Sequence, residues 1–129
     1  MNKIIVEVSI GELLDKISIL EIKQEKIKDP EKLKFISDEH SVLKEQLDKN
    51  VKSDNKLENL FRSLKDINSK LWVIEDDKRQ CEKDKDFTEK FIKLSRDVHF
   101  LNDDRAKIKL EINNQTGSKI KEIKEYTSY

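Results

Sequence analysis

Three charged side chains of this sequence occupy positions where a helical pattern would place apolar residues. With a rotation of about 100° per residue, Glu21 lies within the apolar stripe of a first predicted helix, Glu75 within that of a third, and Arg105 at the centre of that of a fourth. An isolated buried charge is very unfavourable, so these groups must pair with opposite charges or contact water. A guanidinium in such a place can bind an anion, and a carboxylate can orient a ligand or transfer a proton.

Polar and aromatic residues accompany these charges on the same helices, and they predict two polar layers. One layer would join Asn68, Asn102 and Arg105. The other would pair Glu75 with Arg79, its neighbour one helical turn away, and the carboxylate of the first helix would join one of the two layers. The candidate site residues are Glu21, Asn68, Trp72, Glu75, Arg79, Asn102, Arg105 and Lys109.

Three roles for these polar positions stay open. They can be structural layers that fix the register of packed helices. They can form a pocket for a small anionic ligand such as a sugar phosphate, because bundles build binding sites between facing helices. In such a pocket Arg79, Arg105 and Lys109 would bind the anion. The carboxylates of Glu21 and Glu75 would orient the ligand or transfer a proton. The third role is a surface for a partner protein.

The histidine, cysteine and clustered acidic residues of the sequence lie at positions that do not favour catalysis or metal binding. His40 lies in the apolar stripe of the second predicted helix, where a hydrogen-bonded core histidine is expected. Cys81 is the one cysteine, so no intrachain disulfide can form, and no adjacent histidine activates it. The acidic run at residues 75–77 points in three directions around a helix and does not converge on a metal ion. No zinc-ligand spacing, phosphate-binding glycine loop or nucleophile elbow occurs, so we expect no metal and no cofactor.

The composition excludes several protein classes. Among 129 residues, 27 are Lys or Arg and 27 are Asp or Glu, so the net charge is zero and nothing attracts the chain at long range to nucleic acid or an anionic membrane. Only two Gly and one Pro are present, too few for the turns of a β-sandwich or barrel. No apolar run approaches the roughly 20 residues of a membrane span. We therefore expect no nucleic-acid or membrane partner. The lone cysteine and the lack of a signal-peptide pattern predict a cytoplasmic location.

The sequence predicts a single all-α domain over residues 1–129, with a four-helix arrangement and a short N-terminal strand. Helix start signals include a Ser-x-x-Glu capping box at Ser9 and an Asp-Pro pair at Asp29. Gly117 is placed to end the last helix, and a further helical turn is expected to dock from the tail beyond it. The third and fourth helices, joined by a short turn, would form a long antiparallel hairpin. The predicted strand covers residues 4–8, and the helices with their caps cover about 9–28, 29–49, 54–83 and 86–115.

A homodimer is expected from the strand and from a second set of apolar positions. A strand without a partner leaves its backbone groups unpaired, and residues 4–8 are the one strand signal in the sequence. Ile19, Ile22, Phe35 and Val42 lie outside the main apolar stripes of the first two helices. A second copy would cover these faces and pair the two strands.

Four segments form a specific combination: residues 9–23 (SIGELLDKISILEIK), residues 71–79 (LWVIEDDKR), residues 102–113 (NDDRAKIKLEIN), and Gly117-Ser118 with Lys124-Glu125-Tyr126. This combination resembles an uncharacterised bacterial family of about this length that carries a domain-of-unknown-function label. The resemblance covers nearly the whole chain and implies no activity. It implies genes that lie near those for surface polysaccharides and glycosyltransferases. It also implies that polar or aromatic types are kept at the positions of Glu21, Trp72, Glu75, Asp76, Arg79, Asn102, Asp103, Arg105 and Lys109.

Two functions from different classes follow. The first is a non-enzymatic helical module for protein–protein interaction, accessory to surface-polysaccharide synthesis. The alternative is a binding or catalytic site for a small, sugar-phosphate-like anionic ligand, built from interior charges of the bundle, and the sequence leaves open whether the chain is an enzyme. A concave charged pocket favours the ligand, whereas a dry core with an exposed apolar patch favours the interaction module.

Overall fold

A computed structural model describes residues 3–129, and four α-helices make up most of them. The all-α class predicted from the sequence is confirmed, and no β-strand occurs within residues 3–129. No helix in that range is long and apolar enough to cross a membrane. The helices are α1 (Ile10–Lys26), α2 (Pro30–Asn50), α3 (Asn55–Asp84) and α4 (Glu89–Thr116).

Side chains at the predicted helix starts cap three of the helices. The Ser9 hydroxyl and the Asp54 carboxylate each accept a hydrogen bond from the backbone N–H three residues later, at 3.0 and 2.8 Å. Asp29 accepts one from the N–H two residues later, at 3.0 Å. These bonds satisfy N–H groups that have no partner inside a helix. After α4, Gly117 adopts a φ of 66°, which a glycine tolerates because it has no Cβ. Local signals therefore set these helix boundaries.

The predicted N-terminal strand is wrong. Residues 4–8 have no regular secondary structure and lie exposed, and no backbone hydrogen bond joins them to the helices. A strand needs a neighbouring strand to accept and donate its backbone hydrogen bonds, and every other regular element within residues 3–129 is a helix. A β-branched composition alone therefore does not make a strand here.

The tail after α4 also differs from its prediction. Residues 118–129 contain no helical turn, yet several of them contact the helices. The Ser118 hydroxyl accepts a hydrogen bond from the Ile10 backbone N–H at 3.2 Å, and Tyr129 packs edge-on against Phe100 with ring centroids 5.3 Å apart. A left-handed turn at the end of α4 reverses the chain, so the tail returns along the helices instead of extending α4.

Helix α1 is at the centre of the fold because it contacts each of the other three helices. It therefore buries two faces, and seven of its 17 residues are buried. Helix α2 packs against α1 and has no buried residue of its own. The apolar core joins Leu14, Leu57, Leu64 and Ile112, with Ile10, Leu47, Val51, Leu60, Phe61 and Ile108 packed against them.

Helices α3 and α4 lie side by side along much of their length. Residues 85–88 connect them, and near this connection the Lys78 ammonium lies 6.0 Å from the centre of the Phe91 ring. At the far end of both helices, Leu64 and Ile112 share the core. These contacts place polar residues from the middle of α3 close to polar residues from the middle of α4, such as Asn68 and Arg105, which share Asp15.

Candidate functional site

A buried ion pair between α1 and α4 lies at the centre of the polar cluster. Asp15 of α1 is 1% exposed, and its carboxylate accepts two hydrogen bonds from Arg105 of α4. The Nε–Oδ1 distance is 2.9 Å and the Nη2–Oδ2 distance is 2.5 Å. This two-point geometry matches the planar guanidinium to the planar carboxylate and holds both in one orientation.

Asn68 joins α3 to this pair. Its Nδ2 donates to Oδ1 of Asp15 at 2.9 Å and to the hydroxyl of Ser18 at 2.8 Å, and the Ser18 hydroxyl donates to the backbone oxygen of Asp15 at 2.8 Å. All three residues are buried. Within residues 3–129, no buried side-chain nitrogen or oxygen lacks a hydrogen-bond partner, so the cluster meets the condition under which buried polar groups are tolerated.

The environment keeps Asp15 ionised. Burial alone would raise the pKa of its carboxyl, because a charged group is poorly solvated there. The hydrogen bonds from Arg105 and Asn68, together with the positive charges of Arg105 and Lys109, outweigh burial and lower the pKa of Asp15 below its ordinary value of 3.8. The same hydrogen bond raises the pKa of Arg105. At neutral pH the pair is therefore a carboxylate and a guanidinium.

Arg105 keeps part of its hydrogen-bonding capacity for another group. Its third bond runs from Nη1 to Oδ1 of Asn102 at 3.3 Å, and Asn102 is itself oriented by donating to the backbone oxygen of Val98 at 3.0 Å. A guanidinium has five N–H donors, and three are used. The other two have no acceptor among the residues that the structure describes, and the Arg105 side chain is 29% exposed.

Arg105 lines a cleft of about 330 Å³ between α1, α3 and α4, which we call the Arg105 cleft, and it also borders a polar recess beside Lys109. Five of the eight predicted site residues line the cleft together, and Trp72 is half-buried in its wall. The lining residues are Ile19, Ile22, Asn68, Leu71, Trp72, Glu75, Asp76, Arg79 and Arg105.

The expected ion pair between Glu75 and Arg79 is absent. Both side chains are exposed, and neither forms an ion pair within the described part of the chain. Exposed pairs one helical turn apart are worth only a few tenths of a kcal/mol, about 0.2–0.5, so little holds them together. A carboxylate and a guanidinium therefore border the cleft without a protein partner.

Glu21 joins neither predicted polar layer. It lies in a separate cluster, where Oε2 is 3.2 Å from Nε2 of His40 in α2 and Oε1 is 3.4 Å from Nζ of Lys65 in α3. His40 is hydrogen-bonded, as its position in an apolar stripe led us to expect. Glu21 therefore connects α1 to α2 and α3 instead of facing the Arg105 cleft.

Lys109 lies near Arg105 in a second, polar recess of about 270 Å³. It is 7% exposed and donates to Glu12 at 2.7 Å and to Glu122 of the tail at 2.9 Å. Burial would lower its pKa, but the two carboxylates outweigh burial and raise it. Lys109 is thus already neutralised by protein groups, and it does not line the Arg105 cleft.

Comparison with protein-family models gives a match over nearly the whole chain. The profile of a family of unknown function (DUF6165) matches residues 4–129. The chain belongs to this family. The predicted resemblance to an uncharacterised domain of about 130 residues is thereby confirmed. No curated protein and no solved structure matches the chain, so membership of the DUF6165 family brings no activity with it.

The central residue of this DUF6165 site, Asp15, was missed by sequence reasoning. The expectation that a second copy covers Ile22 is wrong, because α1 buries Ile22 within the chain on a second face that also carries Gly11, Asp15 and Ser18. These positions are spaced by four, three and four residues and so follow one side of a helix. A helix with a small and polar second stripe at this spacing predicts burial on both sides.

The glycine of that stripe lets α1 approach α4 closely. A Cβ on Gly11 would lie 2.6 Å from the backbone oxygen of Lys109 and 2.9 Å from Oδ1 of Asn113. The Gly11 N–H donates to that Asn113 oxygen at 2.7 Å. This close approach brings Asp15, one turn further along α1, within reach of Arg105. No group of three or more His, Cys, Asp or Glu side chains within residues 3–129 is arranged to hold a metal ion.

Proposed function

We propose that the chain binds a small ligand that carries both hydroxyl groups and an anionic group, as a sugar phosphate does, in the Arg105 cleft. The observation that supports this most directly is the guanidinium of Arg105. Asp15 and Asn102 hold it in one orientation, two of its N–H donors have no acceptor among the described residues, and Arg105 lines the cleft. A donor fixed before binding loses little conformational entropy when a ligand arrives.

The other walls suit the rest of such a ligand. The apolar surface of Trp72, with Ile19 and Leu71 nearby, can cover the carbon face of a sugar ring. The carboxylates of Glu75 and Asp76 can accept hydrogen bonds from hydroxyl groups. A volume of about 330 Å³ lies at the lower end of the range for small-molecule sites, which suits a single sugar unit.

The charges around the cleft favour a ligand that carries both an anionic group and hydroxyl groups over a simple anion such as inorganic phosphate. Arg79 and Arg105 contribute two positive charges, whereas Asp15, Glu75 and Asp76 contribute three negative ones. Inorganic phosphate would meet the arginines but also the repulsion of the free carboxylates. A phosphorylated sugar places its anionic group on the arginines and its hydroxyl groups on the carboxylates, so it should bind more tightly than either phosphate or the neutral sugar.

The concave, charged cleft favours ligand binding over the accessory interaction module as the primary function. In this proposal the long antiparallel hairpin of α3 and α4 is the frame that carries Trp72, Arg79 and Arg105. The proposal covers binding and no reaction. A link to surface-polysaccharide synthesis and a cytoplasmic location, where phosphorylated sugars are made, fit this ligand class and are part of the proposal.

Trp72 is the only tryptophan, so its fluorescence reports on the cleft. We expect glucose 1-phosphate to change this fluorescence with a dissociation constant below about 1 mM, a free energy of about −4 kcal/mol. Glucose alone and inorganic phosphate should bind at least several-fold more weakly. No saturable change with any member of a panel of hexose and pentose phosphates would contradict the proposal.

Arg79→Gln tests the same site with little effect on the fold, because Arg79 is exposed and makes no ion pair. Hydrogen bonds to charged groups contribute about 1.5–3 kcal/mol, so affinity should fall about 10- to 150-fold. The matched control is Arg96→Gln, which removes an exposed arginine of α4 that lies 5.8 Å from the Phe100 ring, outside the cleft. Equal affinities of the two variants would show that the ligand binds outside the Arg105 cleft and changes the fluorescence of Trp72 indirectly.

A further inference from the structure

A second concavity lies on another side of the α3–α4 pair. It has a volume of about 630 Å³ and an apolar floor formed by Val73, Ile74, Phe100 and Leu101. Val73 and Phe100 are 47% and 37% exposed. Lys26, Lys70 and Asp97 border this depression, which we call the α3–α4 groove, and Asp97 is already paired with Lys93 at 2.8 Å.

An apolar segment elsewhere in the chain has nothing to pack against. Residues 3–8, the N-terminal segment, carry Ile4, Ile5 and Val6 with exposures of 87%, 83% and 68%. Their backbone makes no hydrogen bond to the helices. Four β-branched apolar side chains, Val8 included, therefore face water within six residues, a pattern that marks contact surfaces in folded proteins.

The N-terminal segment cannot fill the groove of its own chain. It leaves α1 beside the end of α4, where Gly11 is hydrogen-bonded to Asn113. From Asn113 to Phe100 is 13 residues, or about 20 Å along the helix. Ile5 precedes Ser9 by four residues and reaches at most about 14 Å, whereas Ile4, five residues before Ser9, reaches at most about 18 Å. Even at full extension the segment therefore brings only Ile4 to the edge of the groove floor, and Ile5, Val6 and Val8 end short of it.

We infer that the N-terminal segment of one copy occupies the α3–α4 groove of a second copy, and that the exchange is reciprocal. The apolar side chains would cover the apolar floor. Glu7 of the segment would meet Lys26 and Lys70 at the rim, and none of these three charges has an ion-pair partner in the described part of the chain. Both copies use the same two surfaces, as a two-fold dimer requires. The dimer expected from the sequence would thus form without strand pairing.

This contact would also connect the two concavities of the protein. Val73 and Ile74 form part of the groove floor, while Trp72 and Glu75, in the same turn of α3, line the Arg105 cleft. A segment docked in the groove would restrain the turn of α3 that presents Trp72 to a ligand. The dimer does not depend on the proposed ligand, so the two proposals can fail separately.

Sedimentation of the full chain provides the first test. At about 100 μM, where complexes with micromolar dissociation constants are populated, the wild-type protein should be a dimer. Val6→Asp places a charge on the apolar floor and should raise the dissociation constant at least tenfold. Ile123→Asp changes an apolar residue of the tail that is even more exposed, at 81% against 68% for Val6, and should leave the dimer intact. A monomeric wild type, or a Val6→Asp variant that dimerises as the wild type does, would overturn the inference.

Cross-linking separates exchange between copies from docking within one chain. One protein carries Val6→Cys and a second carries Val73→Cys, and the two proteins are mixed and treated with a short bismaleimide. The native Cys81 is buried, so it should not react with the cross-linker. The inference predicts a covalent dimer that contains one chain of each kind. Equal yields of mixed and like-with-like dimers, or an intrachain product when both cysteines are in one chain, would refute it.

Discussion

Arg105→Met removes the cation that neutralises Asp15 and keeps a side chain of similar length. In the wild-type protein the buried carboxylate accepts three side-chain hydrogen bonds, two of them from Arg105. At about 1.5–3 kcal/mol for each hydrogen bond to a charged group, the loss is about 3–6 kcal/mol. Breaking a buried pair by removing one partner costs about 3–5 kcal/mol in other proteins, which agrees with this value.

The assay is urea unfolding followed by far-ultraviolet circular dichroism. With a slope of about 1.5 kcal/mol per molar urea, a loss of 3–5 kcal/mol lowers the midpoint by about 2–3 M. Lys107→Met is the control, because Lys107 is an exposed residue of the same helix without an ion pair, and it should change the free energy of unfolding by less than about 0.5 kcal/mol. A second variant, Asp15→Asn with Arg105→Met, removes both charges of the ion pair and should recover a large part of the loss.

The pH dependence has opposite signs in the two proteins. In the wild type the pKa of Asp15 is lowered on folding, so its contribution to stability is fully present above the unfolded pKa, near 3.8, and is lost as the pH falls below it. Without Arg105, burial dominates and raises the pKa of Asp15, so the variant should become more stable as the pH falls from 7 towards 5. A midpoint that drops by less than about 0.5 M, or a variant that gains no stability on mild acidification, would refute this account of the pair.

Three further predictions concern packing. Gly11→Ala should lower the free energy of unfolding by about 1–3 kcal/mol, because its Cβ would lie 2.6 Å from the Lys109 backbone oxygen; an unchanged urea midpoint would contradict the close approach. Asn113→Ala should cost about 1–3 kcal/mol, because it leaves the Gly11 N–H buried without an acceptor, and a thermal melt will measure it. Leu64→Ala should cost about 2–5 kcal/mol at a fully buried position. Phe35→Ser, at 71% exposure, should cost less than about 0.5, and similar urea midpoints for these two variants would contradict the placement of the core.

The fold class and the starts of the first three helices were predictable because they depend on local signals. The fourth helix was expected from Asp86 but begins at Glu89, and its N-cap residue Thr88 makes no side-chain cap hydrogen bond. Ser9, Asp29 and Asp54 cap their helices through hydrogen bonds to residues two or three positions away. The N-terminal strand was not predictable in the same way, because a strand exists only if another segment pairs with it. The tail was misassigned for a similar reason: a spacing typical of a helix does not show whether the chain turns back after Gly117.

The candidate site was predictable in part. Asn68, Asn102 and Arg105 interrupt apolar stripes, and the structure brings them together around Asp15. Asp15 itself could not be recognised from a single stripe, because only the packing of α1 against three helices makes its position an interior one. The partners of Glu21 and Lys109 depend on which helices are neighbours, and periodicity within one helix does not contain that information.

The sequence separation of Asp15 and Arg105 has a consequence for the nascent protein. The two residues are 90 positions apart, so at about 5–20 residues per second a ribosome needs about 5 to 20 s to add Arg105 after Asp15. During that time α2 and then α3 are made, and the face of α1 that packs against α4 is the last to be covered. That face carries Gly11, Asp15 and Ser18, with Ile22 as its one large apolar side chain. Before α4 is made, this face exposes little apolar surface to which chaperones or neighbouring nascent chains could bind. Replacing the ion pair by apolar residues would increase that exposed apolar surface, even if the replacement stabilised the folded protein.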